Sequence, residues 1–168
     1  MSLILACIEE EVFAIARHAR ELTEMGVRLP IPALDVLHRA THKGLATKTA
    51  KDCGIPCPES IVVQAAATAQ EKEGALSTFH GICPLPWILK PVIGHGMRGV
   101  SRVETLDEAR ALLRAHSRDV IIQEFIPAPV GCMHIVGLLY DRDGRVVRRF
   151  SSRSIRTLYP TGGPATAG

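Results

Sequence analysis

The chain has 168 residues, 46% of them apolar, and carries 20 Lys+Arg against 17 Asp+Glu for a net charge of +3. That length supports one domain, or one and a half, with a real core. The near balance of charge excludes the clustered basic stripe of a nucleic-acid-binding protein, and no apolar run reaches the length of a membrane span. The apolar start, residues 1–6, lacks a basic leader and runs straight into Glu9, Glu10 and Glu11, unlike a signal peptide. Five cysteines (Cys7, Cys53, Cys57, Cys83 and Cys132) are odd in number and irregular in spacing. They read as buried, reduced thiols of a cytoplasmic protein; the alternative, a zinc site at Cys53 and Cys57, lacks a second ligand pair.

Residues 3–8 are a continuous apolar run and predict a buried strand. Residues 9–25 predict a single helix, because Val12, Ile15, Ala16, Ala19 and Leu22 recur at intervals of three and four, acids fill the first turn, and Gly26 follows as a stop. One strand and one helix cannot bury their apolar faces alone. Pro30 and Pro32 then break the chain, a helix is predicted over 33–39, the backbone bends near His42 and Gly44, and a further helix covers 45–53 with Gly54 as its cap. Pro56 and Pro58 keep 55–58 extended. A strand is predicted over 60–64, and a capping box of Thr68 and Glu71 opens a helix to residue 79. Next comes an apolar run, 87–91, that carries Lys90 and leads into Gly94, Gly96 and Gly99. Residues 100–103 read as a returning strand. Thr105 and Glu108 start a helix to residue 116, and 119–126 is a strand ended by Pro127. Residues 133–140 and 145–153 are two strands with a hairpin signal, Asp143 and Gly144, between them. The tail, 159–168, is glycine-rich and without periodicity. This alternation predicts an α+β chain with mixed or antiparallel sheets.

Lys90 is a compact charge near the end of a buried strand, and the glycines after it let a backbone approach phosphates closely. The same glycines match the GxGxxG dinucleotide fingerprint, whose third glycine has to open a helix. Here a strand follows Gly99, so the segment reads as a flap over phosphates. A dinucleotide-binding oxidoreductase is the alternative that this strand counts against.

Three stretches stand in a telling order: Lys43 before a helix that ends at Gly54, Lys90 before the glycine flap, and residues 123–126 at the end of a later strand that leads to a hairpin. This order resembles the ATP-grasp superfamily, and within it the carboxylate–amine ligases and the carbamoyl phosphate synthase and biotin carboxylase relatives, over roughly residues 33–166. The resemblance implies an ATP-grasp fold over 33–168, with a lid subdomain near 45–118 and an incomplete second subdomain near 119–168. It implies that residues 1–32 are the end of a preceding α/β domain, so that the chain is an internal piece cut at both ends or a degenerate relative.

By the same resemblance the ligand is ATP. Lys43 and Lys90 would face its phosphates, Gly94, Gly96 and Gly99 would close over them, and the backbone of Glu124 and Ile126 would meet the adenine edge with Phe125 beside it. Arg153 or Arg156 would contact the γ phosphate or an acyl phosphate. His42 stands where the family usually has an acid, a departure that bears on Lys43. The blander alternatives are a solvated helix-end lysine at Lys43, a strand-end acid at Glu124, and a solvated face for Arg148, Arg149, Arg153 and Arg156. Alternation puts Arg149, Ser151 and Arg153 on one face of the last strand. The resemblance also implies Mg2+, but the chain has no asparagine and no Asp or Glu after Tyr159, so the metal ligands are expected beyond its end. The implied activity is a ligase that activates a small-molecule carboxylate as an acyl phosphate for attack by an amine. No nucleic-acid or membrane partner is implied, and a homo-oligomer is allowed. A non-catalytic nucleotide-binding module is the alternative.

Overall fold

The computed structural model describes residues 2–127, 132–141, 143–159 and 162–167, the last two strands by their backbone alone. It divides into two compact units, Met1–Cys57 and Pro58–Gly168. Among the described residues no helix is long and apolar enough to cross a membrane.

In the first unit, β1 (Ser2–Leu3) pairs in parallel with β2 (Val27–Arg28), and the helices are α1 (Glu9–Arg17), α2 (Ala19–Glu24), α3 (Leu34–Thr41) and α4 (Lys43–Asp52). Two expectations are corrected here. The apolar run 3–8 is not a buried strand: Leu3, Leu5 and Ile8 are exposed, because a two-stranded ribbon has no second layer to bury them. The helix expected over 9–25 breaks at His18, whose N–H bonds back three residues to the Ile15 carbonyl at 3.1 Å in a tightened turn. Beside that stripe, Phe13 of α1 meets His38 of α3 with ring centroids 5.0 Å apart, and Leu37 of α3 is buried.

The second unit is built on a four-stranded antiparallel sheet in the order β3 (Ser60–Val63), β6 (Val120–Glu124), β4 (Trp87–Pro91), β5 (Ser101–Val103). Residues directly opposite one another share a face. Trp87 lies opposite Val103 and Glu124, Leu89 opposite Ile122, and Val63 opposite Val120. That face packs against α5 (Ala69–Ile82) and α6 (Leu106–Ala115) in one core with Leu76, Phe79 and Leu113. Trp87 is fully buried; its indole N–H donates to the Cys83 carbonyl at 3.0 Å and its ring meets Phe79 edge-on. Burying such a side chain contributes on the order of 1.5–3 kcal/mol.

Threonine caps fix the starts of both helices. Thr68 Oγ1 accepts from the Glu71 N–H while Glu71 Oε2 accepts from the Thr68 N–H. Thr105 Oγ1 caps Glu108, but the Glu108 carboxylate reaches one residue further, to the Glu104 N–H. Arg110 ties the two helices together by bonding Glu73 while also holding Asp107. The sheet runs through residue 124, since β6 lies between β3 and β4.

The remaining strands form separate two-stranded sheets. β7 (His134–Tyr140) pairs antiparallel with β8 (Val146–Arg153), and β9 (Arg156–Tyr159) with β10 (Gly162–Ala167). The expected turn at Asp143 and Gly144 is present, with Gly144 at φ +76° and the Asp141 carboxylate accepting from the Asp143 and Arg145 N–H groups. Within the glycine-rich tail, residues 162–167 pair with β9. The cysteines are free thiols, but of the five only Cys83 is buried, which corrects the expectation of buried thiols. Burial pushes the Cys83 thiol up, with Glu124 and Glu59 adding to the effect.

Candidate functional site

The sheet face away from α5 and α6 carries Ile88 and Lys90 of β4, Ile121 and Gln123 of β6, Val62 of β3 and Arg102 of β5. Lys90 stands opposite the fully buried Ile121, and its Nζ donates to Gln123 Oε1 at 2.6 Å in a half-buried setting. The strand therefore lays its one cation on the face turned away from α5 and α6, where Ile121 is itself buried.

Beyond Pro91 the chain turns through residues 92–100 and returns as β5, antiparallel to β4. The loop is anchored at its base by the Val92 N–H, which donates to the Asp119 carbonyl at 2.9 Å. Gly96 and Gly99 sit at φ +65° and +69°, and a Cβ on Gly99 would stand 3.0 Å from Cγ of the Pro91 ring. That position requires glycine on two counts, backbone conformation and close approach. The helix that a dinucleotide fingerprint requires after its third glycine is replaced by β5, which counts against the oxidoreductase reading.

At the opposite end of the sheet β6 runs out into Phe125 and Ile126. The Glu124 N–H donates to the Glu59 carbonyl at 2.9 Å, and the Glu124 carboxylate accepts from the Glu59 N–H at 3.1 Å. Both groups thus tie the end of β6 to the residue that precedes β3. Phe125 lies under a guanidinium, with Arg102 Cζ 4.2 Å from the ring centroid and an Arg102 Nη2 to Glu104 Oε1 pair at 2.8 Å. Trp87, the register partner of Glu124, is four residues from Pro91, so about 13 Å of strand separates this end from the glycine loop. Lys90 stands between the two, closer to the loop.

Lys43 belongs to the first unit, where it opens α4. His42 is the N-cap: its Nδ1 accepts from the Leu45 N–H at 3.1 Å, the capping work an acid would do at that position. Partial burial pushes the Lys43 ammonium down from the ordinary lysine value, and the Glu9 carboxylate pulls it partway back. Arg153 ends β8 opposite His134, exposed, on the same face as Arg149 and Ser151. Arg156 opens β9, and its side chain lies outside the described residues.

Sequence reasoning quoted Gln123 without giving it a role and passed over Arg102. For Gln123 the signal was a polar interruption after three apolar residues, 120–122. For Arg102 it was alternation with Val103, which turns it away from the core.

No family model and no curated protein sequence matches the chain. Solved structures do. Carboxyaminoimidazole ribonucleotide synthase from Aspergillus clavatus, complexed with ATP, is 19% identical with a TM-score of 0.65, over 99% of this chain and 41% of that one. The D-alanine-D-alanine ligase of Helicobacter pylori is 20% identical with a TM-score of 0.56, over 90% of this chain and 45% of that one. A RimK domain ATP-grasp protein from Sphaerobacter thermophilus is 21% identical with a TM-score of 0.53, over 74% and 45%. The chain thus shares a mixed α/β fold with part of each of these three structures and spans less than half of their length.

Proposed function

We propose that the chain carries the nucleotide-binding part of an ATP-dependent ligase that joins carbon to nitrogen. In this reading ATP lies along the face of the four-stranded sheet that is turned away from α5 and α6. The Glu124 carbonyl and the Ile126 N–H take the adenine edge beside Phe125. Lys90 meets the phosphates, and the loop of Gly94, Gly96 and Gly99 closes over them. That loop and its sheet serve as the lid, and the hairpin that follows opens the second half of the domain. Arg153 or Arg156 meets the transferring phosphoryl group. The carboxylate substrate becomes an acyl phosphate, which an amine then attacks.

The observation that carries the reading is the line-up on one sheet face: adenine-type backbone groups at one end, a glycine loop at the other, and a half-buried lysine between them. The span suits a nucleoside triphosphate. The protein's own contribution is position and charge, as phosphoryl transfer demands, and no side-chain nucleophile is invoked. Magnesium is the ion such chemistry takes. Among the described residues no group of three or more His, Cys, Asp or Glu could hold a metal ion. The described residues do not fit it.

Titration of the chain with ATP and magnesium against NADH, followed by intrinsic Trp87 fluorescence and by competition with a fluorescent nucleotide, tests the reading. ATP is expected to bind in preference, and Lys90→Met to weaken it about tenfold or more, as loss of a charged hydrogen-bonding partner does. Preference for NADH would contradict it.

A further inference from the structure

Arg102 of β5 and Phe125, just past the end of β6, are not neighbours in the sheet: β4 lies between their strands, with Ile88 opposite both Arg102 and Gln123. Two strand spacings are roughly 10 Å, so the Arg102 side chain has to reach across β4. Its Cζ comes to 4.2 Å from the centroid of the Phe125 ring. The guanidinium is held from a second direction as well. Arg102 Nη2 pairs with Glu104 Oε1 at 2.8 Å, and the Glu104 N–H donates to Glu108 Oε2 at 2.7 Å, at the start of α6. A guanidinium is a flat fork that meets a carboxylate with its edge and an aromatic ring with its face, so the two contacts do not compete. The carboxylate steadies the arm, and the arm steadies the ring. The ring belongs to the stretch given above to the adenine edge, whereas β5 is the strand on which the glycine loop returns.

We propose that Arg102 is a positioning residue for the base end of the nucleotide site: it fixes the Phe125 ring beside the adenine and ties that end of the sheet to the return strand of the glycine loop. The proposal rests on the ATP reading above and adds to it a residue that acts on the base through Phe125. A phenyl side chain just past a strand end turns about two torsions, and a ring ordered in advance spares that entropy when the ligand binds. The role needs no unpaired charge, because the Glu104 pair stays in place while the face of the guanidinium covers the ring.

The test measures binding of ATP, adenosine and inorganic tripolyphosphate, with magnesium present, to the 168-residue chain for wild type, Arg102→Leu, Phe125→Leu and the double variant Arg102→Leu with Phe125→Leu. Dispersion of amide signals confirms folding in each case, and Arg102→Thr replaces Arg102→Leu where the latter does not fold. Arg102→Leu is expected to weaken ATP and adenosine by the same factor, about two- to fivefold, and to leave tripolyphosphate unchanged. In the Phe125→Leu background the Arg102 change is expected to cost little more, because Arg102 acts through the ring.

If Arg102→Leu binds ATP and adenosine as wild type does, or weakens ATP without adenosine, the positioning role is overturned and the ATP reading stands. If all three ligands weaken together, the residue is a structural one, and the proposal is again overturned. If the losses in Arg102→Leu and Phe125→Leu add in full in the double variant, Arg102 does not act through the ring, which overturns the proposal as well. If wild type binds neither ATP nor adenosine, the ATP reading fails and the role of Arg102 falls with it.

Discussion

The pairs β4–β6 and β7–β8 start from the same material, antiparallel strands rich in Ile, Val and Leu, and reach opposite states. In the first, Trp87, Leu89 and Ile122 are 0% exposed; in the second, Val136, Leu139 and Phe150 are 66%, 56% and 64% exposed. The difference is a second layer. Two capped helices, α5 and α6, cover one face of the four-stranded sheet, which frees the other face to hold a cation, a cation–π pair and a glycine loop. The hairpin displays apolar residues on both faces, so alternation has no inside to select. A strand pair becomes a platform for chemistry only after its opposite face has been closed.

Replacing side chains at matched places is the sharpest way to break that contrast. Trp87→Ala is expected to cost about 3–5 kcal/mol in urea unfolding, through the cavity and the lost bond to the Cys83 carbonyl. Phe150→Ala is expected to cost less than about 1 kcal/mol, because the ring is largely exposed. Equal losses would mean that the hairpin is as much core as the sheet.

The glycines repeat the contrast at smaller scale. Gly99→Ala meets both a positive φ and the Pro91 ring, which is fused to the backbone and cannot move aside, and is expected to cost about 1–2 kcal/mol together with nucleotide affinity. A Cβ on Gly137 would collide with the ring edge of Phe150, yet that ring sits at the end of an exposed side chain and can rotate away. Gly137→Ala is therefore expected to leave unfolding nearly unchanged, and the same measurement on both variants checks the difference.

The smallest effect concerns the brace between the helices. The Arg110 guanidinium holds the Glu73 carboxyl below the usual carboxylate range. The unfolded chain therefore binds this proton more readily than the folded one, so the brace is at full strength above the ordinary carboxylate value and is lost as pH falls through the lowered one. Glu73→Gln should lower Tm slightly at neutral pH and flatten its acid-side decline; a decline of wild-type steepness in the variant would assign the acid sensitivity elsewhere.

Much of this was legible in the chain. The capping box at Thr68, the Thr105 cap, the strand after Gly99 and the Asp143–Gly144 turn are local, and local residues specify them. What escaped is non-local. That β6 inserts between β3 and β4 is decided by pairing across sixty residues, which no window of sequence contains. The helix break at His18 carries no glycine or proline to announce it. The strands β9 and β10 hide in a composition that reads as loop. At the site, Lys90 and its glycines stand out because a charge in an apolar run and a glycine cluster are conspicuous, whereas Gln123 and Arg102 acquire meaning only when the register sets them on the same face.

The central claim is that one face of the four-stranded sheet, with Lys90 between a glycine loop and the end of β6, is a nucleotide site. Backbone amide shifts recorded while ATP and magnesium are added to the chain test it most directly. The account predicts that the amides of Gly94, Gly96, Gly99 and Ile126 move together along one binding curve, and that the loop amides stay still in Lys90→Met. Shifts confined to Met1–Cys57, or the same amides responding to NADH at lower concentration than to ATP, would contradict it.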